Sequence, residues 1–226
     1  GELFAVKTGD SKSILAVTGE GGLVLNSSAA DSGIYNNLAI GDSNILSKIT
    51  TANRNYIIGH SNGDWDITSA DSCTIMGYNT GVQVTTGSNN TLIGAYAGDG
   101  ITTQTAITCL GTGTGRSTGS YSTYIGGNAG AAVSSNGNTA VGYDAMTVSG
   151  PQYGVAMGQQ AHKSCTGTRN VAIGVNALMA SGSASSCVAI GYEAAKIATG
   201  GGNVCIGYNS GDAITSGVQN TSLGND

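Results

Sequence analysis

Proline occurs once in 226 residues, at Pro151, and charged side chains make up only 9% of the chain, against roughly a quarter in an ordinary globular domain. Aromatic residues are scarce at 5%. Glycine is abundant, at 38 residues, but does not fall at every third position, and with almost no proline a collagen helix is excluded. No stretch approaches the run of about 18 apolar residues that a membrane-spanning helix needs. The first eleven residues lack the basic start and apolar core of a signal peptide. The chain does not begin with Met, which points to a fragment or a processed product. Cys73, Cys109, Cys165, Cys187 and Cys205 are odd in number and include no C-x-x-C pair, which argues against a disulfide framework and a zinc site. Thirteen acidic and eight basic residues give a net charge of −5, spread thinly. Without a basic cluster there is no surface for phosphate, and nucleic acid is not an expected partner.

What is present is a repeat. A short apolar strand closed by glycine recurs twelve times, at Gly41, Gly59, Gly77, Gly94, Gly111, Gly126, Gly142, Gly158, Gly174, Gly191, Gly207 and Gly224, with spacings of 15 to 18 residues. Each register has its own chemistry. One residue before the glycine stands a bulky aliphatic or Met, from Ile40 and Ile58 to Ile206 and Leu223. Three before, Thr or Val predominates, as at Thr74, Thr91, Thr139, Val171 and Val188, and such β-branched residues favour a pleated strand. Four before, Asn holds seven of twelve places (Asn37, Asn55, Asn90, Asn138, Asn170, Asn203 and Asn220), as expected of a column hydrogen-bonded from coil to coil. Three after it, Ala recurs at Ala129, Ala145, Ala161, Ala177 and Ala194.

No 3.6-residue apolar period is sustained, so helices are not expected. A 16–17-residue coil has room for two short strands and two turns, and twelve coils stacked at about 4.8 Å make a rod of about 55–60 Å. The expected fold is all-β, a parallel β-solenoid over residues 31–226. Residues 1–30 read differently: Leu3–Val6, Ile14–Val17 and Leu23–Leu25 are expected as a β-meander that caps the solenoid or connects it to a preceding domain. The chain stops inside a coil, and a further segment is expected beyond Asp226.

Side chains alternate faces along a strand. The column two before the glycine (Ala39, Ile57, Ile75, Leu92, Cys109, Tyr124, Ala140, Ala156, Ala172, Ala189, Cys205, Ser222) is also mostly apolar. With the aliphatic column taken as the inner one, this second column is expected outside. There it needs cover, best supplied by other copies of the chain.

The units Asn138-Thr139-Ala140-Val141-Gly142-Tyr143-Asp144-Ala145, Asn170-Val171-Ala172-Ile173-Gly174-Val175-Asn176-Ala177 and Asn90-Thr91-Leu92-Ile93-Gly94 resemble the head repeats of trimeric autotransporter adhesins. They are also similar to repeats in bacteriophage tail fibres, and the looser coil length favours the fibre branch. Ile107–Leu110 and Gly154–Met157 depart from the pattern by lacking the leading Asn. The resemblance implies a homotrimeric, left-handed parallel β-roll acting as a rigid shaft or head in host attachment, on a virion surface or otherwise extracellular. Its implied partners are the other two copies, further virion components and a host-surface glycan or protein receptor, without membrane insertion.

No catalytic constellation emerges, and the chain is not expected to be an enzyme or to carry a cofactor or metal. His60 and His162 lie about six coils apart, near 30 Å, and both are expected on the surface. Asp64 and Asp66 flank Trp65 and Asp71 follows, but one acidic loop without further ligands reads as a solvated loop. Gly111–Arg116 is glycine-rich without the Lys and helix of a phosphate loop. The candidate binding residues are aromatic: Tyr78, Tyr143, Tyr192 and Tyr208 share the register just after the closing glycine, and Trp65 is the sole tryptophan. Such rings stack on sugars, or else simply pack the turn. A different class, the monomeric ice- or surface-binding solenoid, is suggested by five successive threonines, Thr74, Thr91, Thr108, Thr123 and Thr139, although the flanking aliphatic column denies it a second threonine rank.

Overall fold

The computed structural model describes residues 2–7, 13–18, 23–25, 37–41, 51–60, 67–148 and 152–225, the first three stretches as backbone only. β1 (Glu2–Lys7), β2 (Ser13–Thr18) and β3 (Leu23–Leu25) pair antiparallel in that order. Then come β4 (Leu38–Gly41), β5 (Tyr56–His60), β6 (Thr74–Tyr78), β7 (Thr91–Ile93), β8 (Thr108–Leu110) and β9 (Thr123–Ile125). The series continues with β10 (Thr139–Val141), β11 (Val155–Met157), β12 (Val171–Ile173), β13 (Val188–Ile190), β14 (Val204–Ile206) and β15 (Thr221–Leu223). These twelve form one parallel sheet in strict chain order, each strand paired with the next coil's, and no helix occurs among the described residues. The fold is a parallel β-solenoid. Equivalent positions pair in register, so that Thr91 meets Thr108, Cys109 meets Tyr124 and Val141 meets Met157.

Register follows from the closing glycines, which stack directly on one another. A Cβ at Gly142 would come within 2.6 Å of the Gly158 carbonyl oxygen, and the φ of +132° is one that residues with side chains rarely adopt. Only glycine lets the coils approach here, and the chain turns its first corner at that point.

The other corners use left-handed backbone. Two and four residues after the glycine, and again just before the Asn column, φ lies between about +48° and +74°, as at Asp144, Met146 and Tyr153. Among the described residues 21 such positions are not glycine, each costing on the order of 1 kcal/mol. The cost is offset by burial: left-handed Met146, His162 and Leu178 are directed into the coil and are 0% exposed.

The asparagine column ties coil to coil mainly through the backbone, with one direct amide-to-amide bond, from Asn220 Nδ2 to Asn203 Oδ1 (3.1 Å). Buried Asn90 donates from Nδ2 to the Gly87 and Gln104 carbonyls and accepts at Oδ1 from the Ile107 amide (3.0 Å). Asn37, Asn55, Asn138, Asn170 and Asn203 accept in the same way from Asn55, Cys73, Gly154, Cys187 and Asn220. Where Asn is missing, Ser122 Oγ takes the bond from Asn138. On another side of the coil Thr51, Thr68 and Thr85 each donate from Oγ1 to the carbonyl of Thr68, Thr85 and Thr102 respectively, all at 3.1 Å.

The core reverses the expected sidedness of the strands. The column two before the glycine is the inner one: Ile57, Ile75, Leu92, Cys109, Tyr124, Ala140, Ala156, Ala172, Ala189 and Cys205 are all buried. The alanines three after the glycine join them, with Val84, Ile101, Val133 and Ala198 from the following side of the coil. Strand alternation then turns the bulky aliphatic column outward. Inside, the two sources of bulk complement each other. Where the inner strand residue is large, as at Ile75, Leu92 and Tyr124, the residue four after the glycine is Gly81, Gly98 or Gly130. Where it is alanine, as at Ala140, Ala156 and Ala172, that residue is Met146, His162 or Leu178. The exchange holds in these six coils; the Ala189 coil has Ala195 in the second place, and Cys109 and Cys205 face Gly115 and Gly211.

Candidate interaction face

The outward face of the twelve-stranded sheet carries two continuous columns. The first is Leu38, Tyr56, Thr74, Thr91, Thr108, Thr123, Thr139, Val155, Val171, Val188, Val204 and Thr221. The second is Ile40, Ile58, Met76, Ile93, Leu110, Ile125, Val141, Met157, Ile173, Ile190, Ile206 and Leu223. None of these side chains is charged. Ile40 and Leu110 are 44% exposed, Met157 43% and Leu223 70%; Ile58, Ile93, Ile125, Val141, Ile173 and Ile190 are half-buried by their neighbours. At about 4.8 Å per strand the face runs roughly 50 Å, and at about 10–15 Å wide it covers on the order of 500–750 Å². Six of the twelve residues of the first column are threonine, and the continuous apolar strip within this area is the second column.

Tyrosines edge this face. Tyr192 and Tyr208, on successive coils, stack with centroids 5.2 Å apart and planes 11° from parallel, both largely exposed. Tyr143 is 54% exposed and its ring lies against Gly127 of the preceding coil. Three strands, about 14 Å, separate it from Tyr192. Tyr78 is half-buried, stacked on His60 (5.9 Å) and edge-on to Tyr96 (5.5 Å). The four tyrosines proposed from their shared register therefore form one stacked pair, one isolated ring and one small cluster, not a single continuous platform. Trp65, Asp64 and Asp66 lie outside the described residues. Tyr121 and Tyr153, 70% and 64% exposed, occupy the left-handed corner before the strand, where no sequence rule anticipates an aromatic residue.

Charge is used sparingly and mostly between coils. Asp99 pairs with Arg116 (3.2 Å) and Asp144 with Lys163 (2.8 Å), while Glu193 meets Lys196 within its own turn (2.9 Å). The Lys163 ammonium, bonded to the Asp144 carboxylate, holds that group below its ordinary range. Asp71 accepts a hydrogen bond from the Asn53 amide and lies 3.9 Å from Arg54, which fixes it to the coil before. No cluster of three or more His, Cys, Asp or Glu side chains able to hold a metal is found among the described residues.

One buried group corrects the surface reading of the sequence. His162 is wholly buried, whereas His60 is exposed as expected. The five thiols are buried and free, and burial pushes Cys109 up to about 12 and Cys165 up to about 11. Tyr124 also lies wholly inside, where burial raises its phenol. No family model, no curated protein and no solved structure matches the chain.

Proposed function

We propose that this chain is a structural segment of a fibre or attachment protein, of the kind found in phage tail fibres, and that it assembles as a homotrimer along the rod. Its role is mechanical: a stiff spacer, on a virion surface or otherwise outside the cell, that presents a host-binding tip. The carrying observation is the uncharged outward face, aliphatic at every coil and uninterrupted over twelve strands. Leaving it in water forgoes about 25 cal/mol for each Å² of apolar area that contact would cover. A flat in-register face repeats the same few side-chain shapes along its length, and so matches copies of itself well. Cyclic closure of three faces also hides the columns without leaving a free edge to propagate.

Sedimentation equilibrium across a concentration series tests this. The expected mass is close to three times 22.3 kDa, without dissociation on dilution. A monomer would overturn the proposal and favour the second reading, a surface- or ice-binding solenoid. That reading has one observation of its own: Thr74, Thr91, Thr108, Thr123 and Thr139 pair in perfect succession on the outward face. A bacterial trimeric adhesin head shares the trimer and differs in what it is attached to.

A further inference from the structure

His162 occupies a place that Met146 and Leu178 fill in the neighbouring coils: four residues after the closing glycine, left-handed, inside the solenoid and 0% exposed. An imidazole there needs partners, and it has one. Its Nε2 lies 3.0 Å from Asn170 Nδ2, while Nδ1 is buried with no hydrogen-bond partner.

The orientation of the Asn170 amide is fixed independently. Its Oδ1 accepts from the Cys187 amide (2.9 Å), and its Nδ2 donates to the Ala184 carbonyl (2.7 Å) and faces Cys165 Sγ (3.5 Å). The atom facing His162 is therefore a donor, so Nε2 must be an acceptor, and the ring is the neutral tautomer with its proton on Nδ1. The ionisable group that shares the Asn170 amide with it is the Cys165 thiol, which is no counter-ion for an imidazolium. Lys163 points its ammonium to Asp144 on the outside, and Arg169 is exposed.

We propose that the coil carrying His162 is an acid-sensitive joint of the rod, where protonation of the imidazole sets donor against donor at Asn170 and releases the ties from Asn170 to Ala184 and Cys187. Burial supports the direction, since it lowers His162 from its ordinary 6.5 to about 4. A folded-state value below the unfolded one means that the unfolded chain binds the proton more readily. Stability is thus complete above about pH 6.5, declines as pH falls towards 4 and is fully reduced below it. Opening begins at this coil because each coil contacts only its neighbours along the stack, so a local loss is not shared by the whole rod.

The test is hydrogen exchange of the full chain at pH 7 and near pH 4, corrected for intrinsic rates. Protection across residues 155–187 is expected to fall on the order of a hundredfold at acid pH, while residues 91–141 keep theirs. His162→Met, which copies the Met146 coil, should abolish the change; His162→Leu, which copies the Leu178 coil, serves the same purpose should the Met variant fold poorly. Either variant opening like the parent at pH 4, or opening that starts elsewhere in the rod, overturns the proposal. So does an imidazole NMR titration of the native chain that places His162 near 6.5. Comparing parent and variant at the same pH isolates the effect of His162 from any effect of assembly.

Discussion

Gly130 lies against the ring of Tyr124: a Cβ built at Gly130 would sit 2.1 Å from Tyr124 Cδ1 and 2.3 Å from Cε1. One coil on, the same two registers hold Ala140 and Met146, both buried. In these two coils the space is thus filled once, from the strand or from the turn. Gly130→Ala is expected to destabilise by roughly 3 kcal/mol or more, combining overpacking with a left-handed φ of +64°. In a urea double-mutant cycle, Tyr124→Ala with Gly130→Met should be far less damaging than the sum of the single changes, because it recreates the Ala140–Met146 arrangement. Simple additivity would refute the volume exchange.

The closing glycines allow a cleaner separation of strain from contact. Gly142 and Gly224 have similar φ, +132° and +122°, but a Cβ at Gly142 would meet the Gly158 carbonyl, whereas no described residue lies within 4 Å of a Cβ at Gly224. Gly224→Ala should cost about 1–3 kcal/mol from backbone strain alone. Gly142→Ala should cost at least about 2 kcal/mol more, since the Gly158 carbonyl cannot retreat without disturbing the turn in which it accepts from the Ala161 amide (3.3 Å). Equal losses in thermal or urea unfolding would mean that the stacking is not what demands glycine.

Asn90 tests the coil-to-coil column. Alanine there leaves the buried Ile107 amide unpaired, at about 1–3 kcal/mol, and removes a bond to the part-buried Gln104 carbonyl. Asn90→Ser should lose less, because Ser122 already accepts the equivalent bond at 3.2 Å. If both variants unfold alike, the amide's second bond, not the acceptance, carries the column.

The outward columns should govern assembly and leave the single chain largely intact. Ile125→Asp places a carboxylate in mid-face, where the native side chain is only half-buried within its own coil. The expected result is a monomer by sedimentation with an unchanged circular dichroism spectrum. The exposed Tyr121→Asp, at the corner before the strand, provides the control that keeps the native mass.

The thiols report on the integrity of the interior. With Cys73, Cys109, Cys165, Cys187 and Cys205 buried and burial raising Cys109 and Cys165, a thiol reagent at pH 8 should modify the folded chain negligibly and all five residues in denaturant. Rapid labelling of Cys165 in native conditions would mean that its coil opens readily.

The linear sequence by itself determined the solenoid. Glycine every 15 to 18 residues sets the stacking register, β-branched residues before it make the strand, and the asparagine column appears in the structure as a ladder of cross-coil bonds. These features are local or periodic, and a period survives in one dimension. Which side of the strand faces inward was decided only by the folded coil. Both columns are apolar, so alternation distinguishes two faces without naming the inner one. The choice rests on left-handed corners two and four residues past the glycine, which direct Met146, His162 and Leu178 inward and leave room opposite them for alanine alone. The same corners bury His162, which composition places on the surface, and separate the tyrosines that share a register into a stacked pair, a lone ring and a cluster. The repeat is set by spacing along the chain; the inside and the outside are set by volume within a coil, and volume exists only once the coil has closed.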